Sequence, residues 1–437
     1  MLSVSSTICK RIKVLGIVWL CGISLAKAQT ENSPYSRYGL GDVVPSQNII
    51  TRGMGGISAA YSDFQSVNFL NPASYARLKA TTLDVGLDFT SRTLRSTNPP
   101  SKFSAYSPNI AYVQVGIPLL KQRNWGMNFG LRPLARIAYK IERNEKLTSG
   151  SLNDSVNTLF EGNGGAYEVY AGTGFSISKF RVGVNVGYLF GSKDYSTRRQ
   201  FINDTVLYYS SNHETKTNYG GLMLNGGIQY TGKLNKTTSL HLGAYGSLKQ
   251  TLKGTQDKIR ETFSYAENGP VRIDSVYGEN NIKGDVIYPS SYGFGFMINK
   301  EAKWLIGADY SATKWSDYRF YGEKDFVQDS WKVHIGGQLI PDVINGKNYW
   351  SRVAYRAGFN YGKDYVNVDK ELPVYTVTLG FGLPMRHAAY TYQSAVINLG
   401  IEFGRRGNKD NLIRENFFRF ALGLNLSDVW FVKKKYY

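Results

Sequence analysis

Only two cysteines occur in the 437 residues, Cys9 and Cys21, and both lie at the very start of the chain. The rest has no disulfide to draw on, whatever compartment it occupies. Long apolar runs are missing too. Beyond residue 28 no stretch approaches the ~20 residues that a membrane helix needs, and mean hydropathy is −0.30. A helical inner-membrane protein is thereby excluded. Histidine is scarce: His213, His241, His334 and His387 stand far apart and show no paired metal spacing. A histidine with a distant serine would make a hydrolase dyad, but no activated-nucleophile signature accompanies any of them. The acidic pairs Glu142 with Glu145 and Asp364 with Asp369 lack calcium-loop spacing. The expectation is a non-enzyme with no cofactor and no metal.

The first residues form a leader. Lys10, Arg11 and Lys13 precede an apolar run from Val14 to Ala26, and Ala26-Lys27-Ala28 supplies a small-residue cleavage site. About 13 apolar residues are too few to span a bilayer. Cys21 follows Trp19-Leu20, where a lipid-attachment site wants a small residue. Residues 1–28 are therefore expected to leave as a signal peptide, taking both cysteines and four basic residues and lowering the net charge from +19 to +15. Basic loops beside anionic lipid head groups account for that excess. The lysine run near the C-terminus is not a nucleic-acid face, since such patches spread over a binding surface.

What the chain does have is aromatic residues, 14% of the total with 32 Tyr, and 46 Gly. From residue 80 it alternates with period two, one face apolar and the other small or polar, the mark of a strand between two solvents. Leu83, Val85, Leu87 and Phe89 alternate with Asp84, Gly86, Asp88 and Thr90; Phe418, Phe420, Leu422 and Leu424 alternate with Arg419, Ala421, Gly423 and Asn425. A soluble β-sandwich also alternates, but with strands of about 5–6 residues; here runs of about ten are common, as a tilted membrane strand requires. Strands are expected at 80–95, 107–118, 124–141, 165–178, 180–195, 215–231, 236–252, 289–299, 302–318, 328–339, 350–363, 374–383, 391–404 and 416–430. The fold class is all-β, a 14-stranded antiparallel transmembrane barrel. Connectors at 142–164, 196–214, 253–288 and 364–373 then read as external loops, alternating with short periplasmic turns. Asp84, Asp88, Arg352 and Arg356 are expected in the interior, and Gly220-Gly221, Gly226-Gly227 and Gly336-Gly337 are expected to serve close packing or lumen space.

Residues 29–79 do not alternate. They hold Gly53-Met54-Gly55-Gly56, Asp63 and Asn71-Pro72-Ala73, with Pro72 ending regular structure before the first strand. A barrel this wide is not filled by its own side chains, and this segment is placed to occupy the lumen. The run Gly53 to Asp63 followed by Asn71-Pro72-Ala73 resembles the N-terminal hatch of the FadL/TodX-type outer-membrane transporters of hydrophobic compounds. The resemblance extends to Leu131-Arg132-Pro133, since members have a kinked third strand that opens the wall sideways. It implies a hatch at 29–79 with Gly53, Gly55, Gly56, Asp63, Asn71 and Pro72 as its motif, a barrel at 80–437, and a lateral opening at Arg132 and Pro133.

The expected function is passive transport of a hydrophobic, fatty-acid-like molecule across the cell outer membrane with lateral exit. The alternative is a non-transporting barrel that serves as a scaffold or carrier subunit of a secretion or surface-attachment complex, using the long connector at 253–288. Expected partners are outer-membrane lipids, a hydrophobic ligand and, in the second reading, a protein at the external loops; no nucleic acid. The leader reading makes a direct prediction: intact mass of the protein from the outer membrane should fit a chain that begins at Gln29, and a full-length mass would refute cleavage.

Overall fold

The computed structural model describes residues 33–97, 99–120, 124–149, 152–202, 209–266, 269–300, 303–342, 348–368, 370–385 and 393–430. The leader, His387 and the C-terminal residues 431–437 lie outside these.

Fourteen antiparallel strands close into a barrel. They are β1 (Thr81–Thr97), β2 (Pro100–Leu120), β3 (Trp125–Ser149), β4 (Leu152–Ile177), β5 (Phe180–Ile202), β6 (Ser210–Lys233), β7 (Thr238–Ser247 continuing as Gln250–Ala266), β8 (Gly269–Tyr288 continuing as Ser291–Lys300), β9 (Trp304–Thr313), β10 (Ser330–Leu339), β11 (Ala354–Lys363), β12 (Pro373–Pro384), β13 (Ser394–Arg406) and β14 (Ile413–Asp428). Each strand expected from periodicity is present. Closure is made by β14 against β1, from Ile413–Ser96 to Asp428–Thr81. No described helix is long and apolar enough to cross a membrane; the strands do so, each backbone group satisfied by a neighbouring strand.

The period-two pattern sorts the two faces. Leu83 and Phe89 on β1, Val184, Val186 and Phe190 on β5, and Ile306 and Ile335 on β9 and β10 are exposed on the outer face, where lipid covers them. Near its upper rim Phe294, Tyr310, Trp331 and Tyr361 form a row of rings across β8 to β11, with successive centroids 5.4, 6.5 and 5.9 Å apart. Such a row suits the interface between lipid and water. Inside, Asp84, Asp88 and Arg356 are buried as expected. Arg352 is not. It ends a 3-10 turn at Tyr349–Arg352, before β11 begins, and is exposed. β11 begins at Ala354, four residues later than the strand expected at 350–363.

The long connectors are also different from expectation. The segments 142–164, 196–214 and 253–288 are mostly continuations of the strands beside them, so that β3 to β8 stand above the rim as one extended sheet. Polar, β-competent residues on both faces hide such an extension from a periodicity argument, because neither face is buried in lipid. Its far edge, on β8, carries register shifts at Arg272/Asp274, Ser275/Tyr277 and Glu279/Ile282. Bulges of this kind blunt an edge against further pairing.

Residues 33–79 run inside this wall, from the wide end down to the start of β1. Glycines on twelve strands face them, from Gly86 on β1 to Gly423 on β14. At many of these a side chain would overlap the segment's backbone: Gly336 lies against Met54, Gly358 against Gly55, Gly243 against Ala59 and Gly183 against Pro72. Backbone packed on backbone is the reason for so much inward glycine. The neighbours Gly226 and Gly227 make the point testable. A Cβ at Gly227 would overlap the Asn71 side chain, whereas one at Gly226 would meet nothing within 4 Å. Gly227→Val should lower the temperature at which the compact, detergent-resistant form converts on a gel, by an overpacking cost of about 1–3 kcal/mol. Gly226→Val should leave it unchanged; equal effects would show that the segment does not hold the wall.

Candidate functional site: the plugged lumen and the break in the wall

Two groups of buried ion pairs tie the N-terminal segment to the barrel. Arg52 closes a four-residue helix, Ile49–Arg52, whose first turn is capped by the Asn48 side chain accepting from Thr51 N at 2.9 Å. Its guanidinium reaches Asp88 on β1 at 2.8 Å and Glu402 on β13 at 2.7 Å, and Glu402 also takes Arg419 on β14 at 2.7 Å. Higher up, Asp42 accepts from Arg92 at 2.7 Å and Arg406 at 2.8 Å; Glu415 joins Arg92 at 3.0 Å and Asp364 joins Arg406 at 2.8 Å. On the opposite wall Asp309 of β9 accepts the backbone N–H groups of Ser58 and Ala59, and His334 of β10 hydrogen-bonds Gly55 O at 2.7 Å.

The residues singled out from sequence fall along this path. Gly55 and Gly56 adopt φ of +70° and +94° where the segment turns against β10 and β11, a conformation open to glycine at little cost. Gly53 packs on Gly380 of β12. Asn71 caps the 3-10 turn Pro72–Arg77 by accepting from Ala73 N at 3.1 Å, and donates to Ala59 O at 2.6 Å. Asp63 makes only a local turn, accepting from Gln65 N at 2.8 Å. Arg132 points into the lumen, paired with Glu168 at 2.8 Å and lying 4.9 Å over the Phe69 ring.

Pro133 marks a break in the wall. Pairing between β2 and β3 begins at Leu120–Trp125 and ends at Val113–Leu131. Above that level β2 pairs with β1 alone, and β3 carries a bulge between Pro133 and Ala135. The free edge of β3 is taken up by the N-terminal segment instead: Asp42 and Val43 pair with Arg136 and Ala135, Val44 N donates to Leu134 O at 3.0 Å, and Ser33 N to Ala138 O at 3.1 Å. On the β2 side Ile110 is exposed, its carbonyl accepting from Arg136 Nη2 at 3.1 Å.

Just inside the break lies an apolar cluster that reaches the barrel mouth. Leu134 and Ala135 belong to it, as do Tyr35 and Leu40 from the N-terminal segment, and Trp315, Tyr318 and Tyr365 from the connectors after β9 and β11. Beside it is a cavity of about 280 Å³ bordered by Arg52, Gly55, His334 and Glu402. Trp315 and Tyr365 line this cavity as well, so the apolar cluster borders directly on the charged groups.

Residues 8–437 match the BamG family. The chain belongs to that family. Comparison with curated protein sequences finds no match. Among solved structures this BamG-family barrel is similar to the Pseudomonas putida toluene transporter TodX, with TM-score 0.55 and 17% identity over 90% of this chain and 100% of that one. A FadL homologue of Pseudomonas aeruginosa gives 0.54 and 11% over 90% and 100%. The CymD monoaromatic hydrocarbon channel gives 0.53 and 16% over 89% and 98%. What these share with the BamG-family chain is a fold, that of the FadL/TodX-type outer-membrane barrels, and it places the chain in the outer membrane.

Sequence reasoning on this BamG-family barrel missed the anchors. Arg52, Asp42, Arg92, Arg406, Glu415 and Asp309 carry no motif, and the segment 314–329 that supplies Trp315 and Tyr318 was partly assigned to strand. Inward charges at polar positions of lipid-facing strands, such as Glu402 between Ile401 and Phe403, were the available signal. Breaking a buried ion pair from one side costs about 3–5 kcal/mol. Arg52→Met should therefore cut the urea midpoint for unfolding from lipid vesicles sharply. Arg143→Met, which removes an exposed pair with Glu145, should move it by less than about 1 kcal/mol. A small effect for Arg52→Met would mean that the segment is loosely held.

Proposed function

We propose that this chain is an outer-membrane channel for passive passage of hydrophobic small molecules, which leave sideways into the lipid through the break between β2 and β3. The observation that carries this reading is the apolar cluster running from the mouth to that break. Tyr35 and Leu40 fill its centre. In this reading residues 33–44 are the moving part of the hatch, released when the Asp42 pairs with Arg92 and Arg406 open, and residues 49–79, held by the Arg52 pairs and glycine contacts, stay in place. An apolar solute gains about 25 cal/mol per Å² of surface kept from water, which favours this route over the charged groups beside it. The molecules transported by the barrels of shared fold, toluene among them, are consistent with the substrate class. Lateral exit needs a gap that neither strand can close, and Pro133 without its N–H supports one.

A second reading rests on a different feature. The extension of β7 and β8 above the rim exposes Val271, Ile273, Val276 and Tyr277 to water rather than lipid, and apolar groups so placed suit a protein partner. In that reading the barrel is a scaffold.

The two are separated by closing the break. A double variant with Ile110→Cys and Arg136→Cys, bridged by a bifunctional maleimide, should take up a radiolabelled aromatic hydrocarbon several-fold more slowly than its unbridged form. Uptake that equals that of cells lacking the protein, with or without the bridge, would leave the scaffold reading standing.

A further inference from the structure

The charged lining of the cavity has an imbalance. Six cations line the cavity: Arg52, Arg92, Lys332, Lys363, Arg406 and Arg419. Five of them are ion-paired, the arginines as described above and Lys363 with Glu371. The four lining carboxylates, Asp42, Asp364, Glu402 and Glu415, are each taken by one or more arginines. Lys332, near the upper end of β10, is left as the one lining cation without an ion pair or hydrogen bond among the described residues. The carboxylates whose charge it feels, Asp364 and Asp42, are already held by Arg406 and Arg92. Tyr245 and Tyr288 line the same cavity, and neither hydroxyl makes a hydrogen bond among the described residues.

We propose that this cavity is a binding site for a small oxyanion, a carboxylate or phosphate, with the Lys332 ammonium as its anchoring cation. Lys332 is half-buried against the lumen; an ammonium so placed is costly unless an opposite charge meets it, and every carboxylate in reach is engaged elsewhere. Charge-assisted hydrogen bonds from Lys332, with neutral ones from Tyr245 and Tyr288, would hold an oxygen-centred anion. About 280 Å³ accommodates phosphate or a tricarboxylate. The site adjoins the apolar cluster, whose Trp315 and Tyr365 line the same cavity, and does not depend on the transport reading.

The test uses the full mature chain, purified and folded in detergent, titrated with inorganic phosphate and separately with citrate at constant ionic strength. Saturable binding is expected by calorimetry in the millimolar range or tighter. Lys332→Gln should weaken it by about tenfold or more, whereas Lys332→Arg should keep most of it. Should Lys332→Gln not fold, Tyr245→Phe is expected to weaken binding by a few-fold. Absence of saturable binding of either anion to the wild-type chain would overturn the proposal. So would binding that persists unchanged in Lys332→Gln.

Discussion

A peptide group left without a hydrogen-bond partner in hydrocarbon costs several kcal/mol, and the architecture follows from meeting that demand around a full circle. Fourteen strands close through β14 and β1 because an open sheet would leave two edges in lipid. The break above Val113 and Leu131 is the place where the demand is met differently. There β3 turns to Asp42–Val43 for its partner, so a stretch of the N-terminal segment is at once lumen filling and wall. Whatever displaces that segment must leave the β3 edge unpaired, which links any movement of residues 33–44 to the state of the wall. Ser33, Val44 and the Asp42–Val43 pair thus complete the wall at the break, with Tyr35 and Leu40 packed in the cluster just inside it.

Filling a wide barrel raises a second problem. The segment is polar backbone as much as side chain, and it must be taken from water on all sides. Glycine on the inward face of the wall brings strand and segment into backbone contact, and charges are matched where contact is not possible. Buried ion pairs are weak evidence for stability, since desolvation can exceed the attraction. They are strong evidence for position: Arg52 fits between Asp88 and Glu402 in one place only, and a segment shifted by a residue would strand three charges. The pairs are best understood as setting register for a segment with little regular structure of its own.

The parts of this fold that were legible in the sequence are those where one strand meets two solvents. Lipid outside and a polar lumen inside force alternation, so the strand count and the inward place of Asp84, Asp88 and Arg356 could be read from residues 80 onward. Where both faces meet water, as at 253–288, the same backbone leaves no such trace, and the strand extensions were taken for loops. Arg352 precedes Val353 and Tyr355 in step with the alternation, yet it lies in the 3-10 turn Tyr349–Arg352, which the period-two pattern does not reveal. The glycine and Asn-Pro pattern indicated where the segment turns, through positive φ at Gly55 and Gly56 and capping by Asn71. It said nothing of what grips it. Partners such as Arg92 with Asp42, or Asp309 with the N–H of Ser58, are set by closure of the barrel and are separated by tens to hundreds of residues in the chain.

The presence of an apolar and a charged lining in one lumen has a consequence for selectivity. A single continuous pore must compromise between solutes, because a lining that welcomes apolar surface rejects charge. Here the two linings adjoin, with Trp315 and Tyr365 shared between them. On the proposed route, apolar matter entering at the mouth would meet Trp315, Tyr318 and Leu134 on the way to lipid, while an anion would be met by Lys332 at the edge of the same cluster. Because Asp42 and Arg406 line the cavity and Asp42 also pairs with β3 at the break, a change in either place reaches the other through the same ion pairs. Occupancy of the cavity would then be felt at the break.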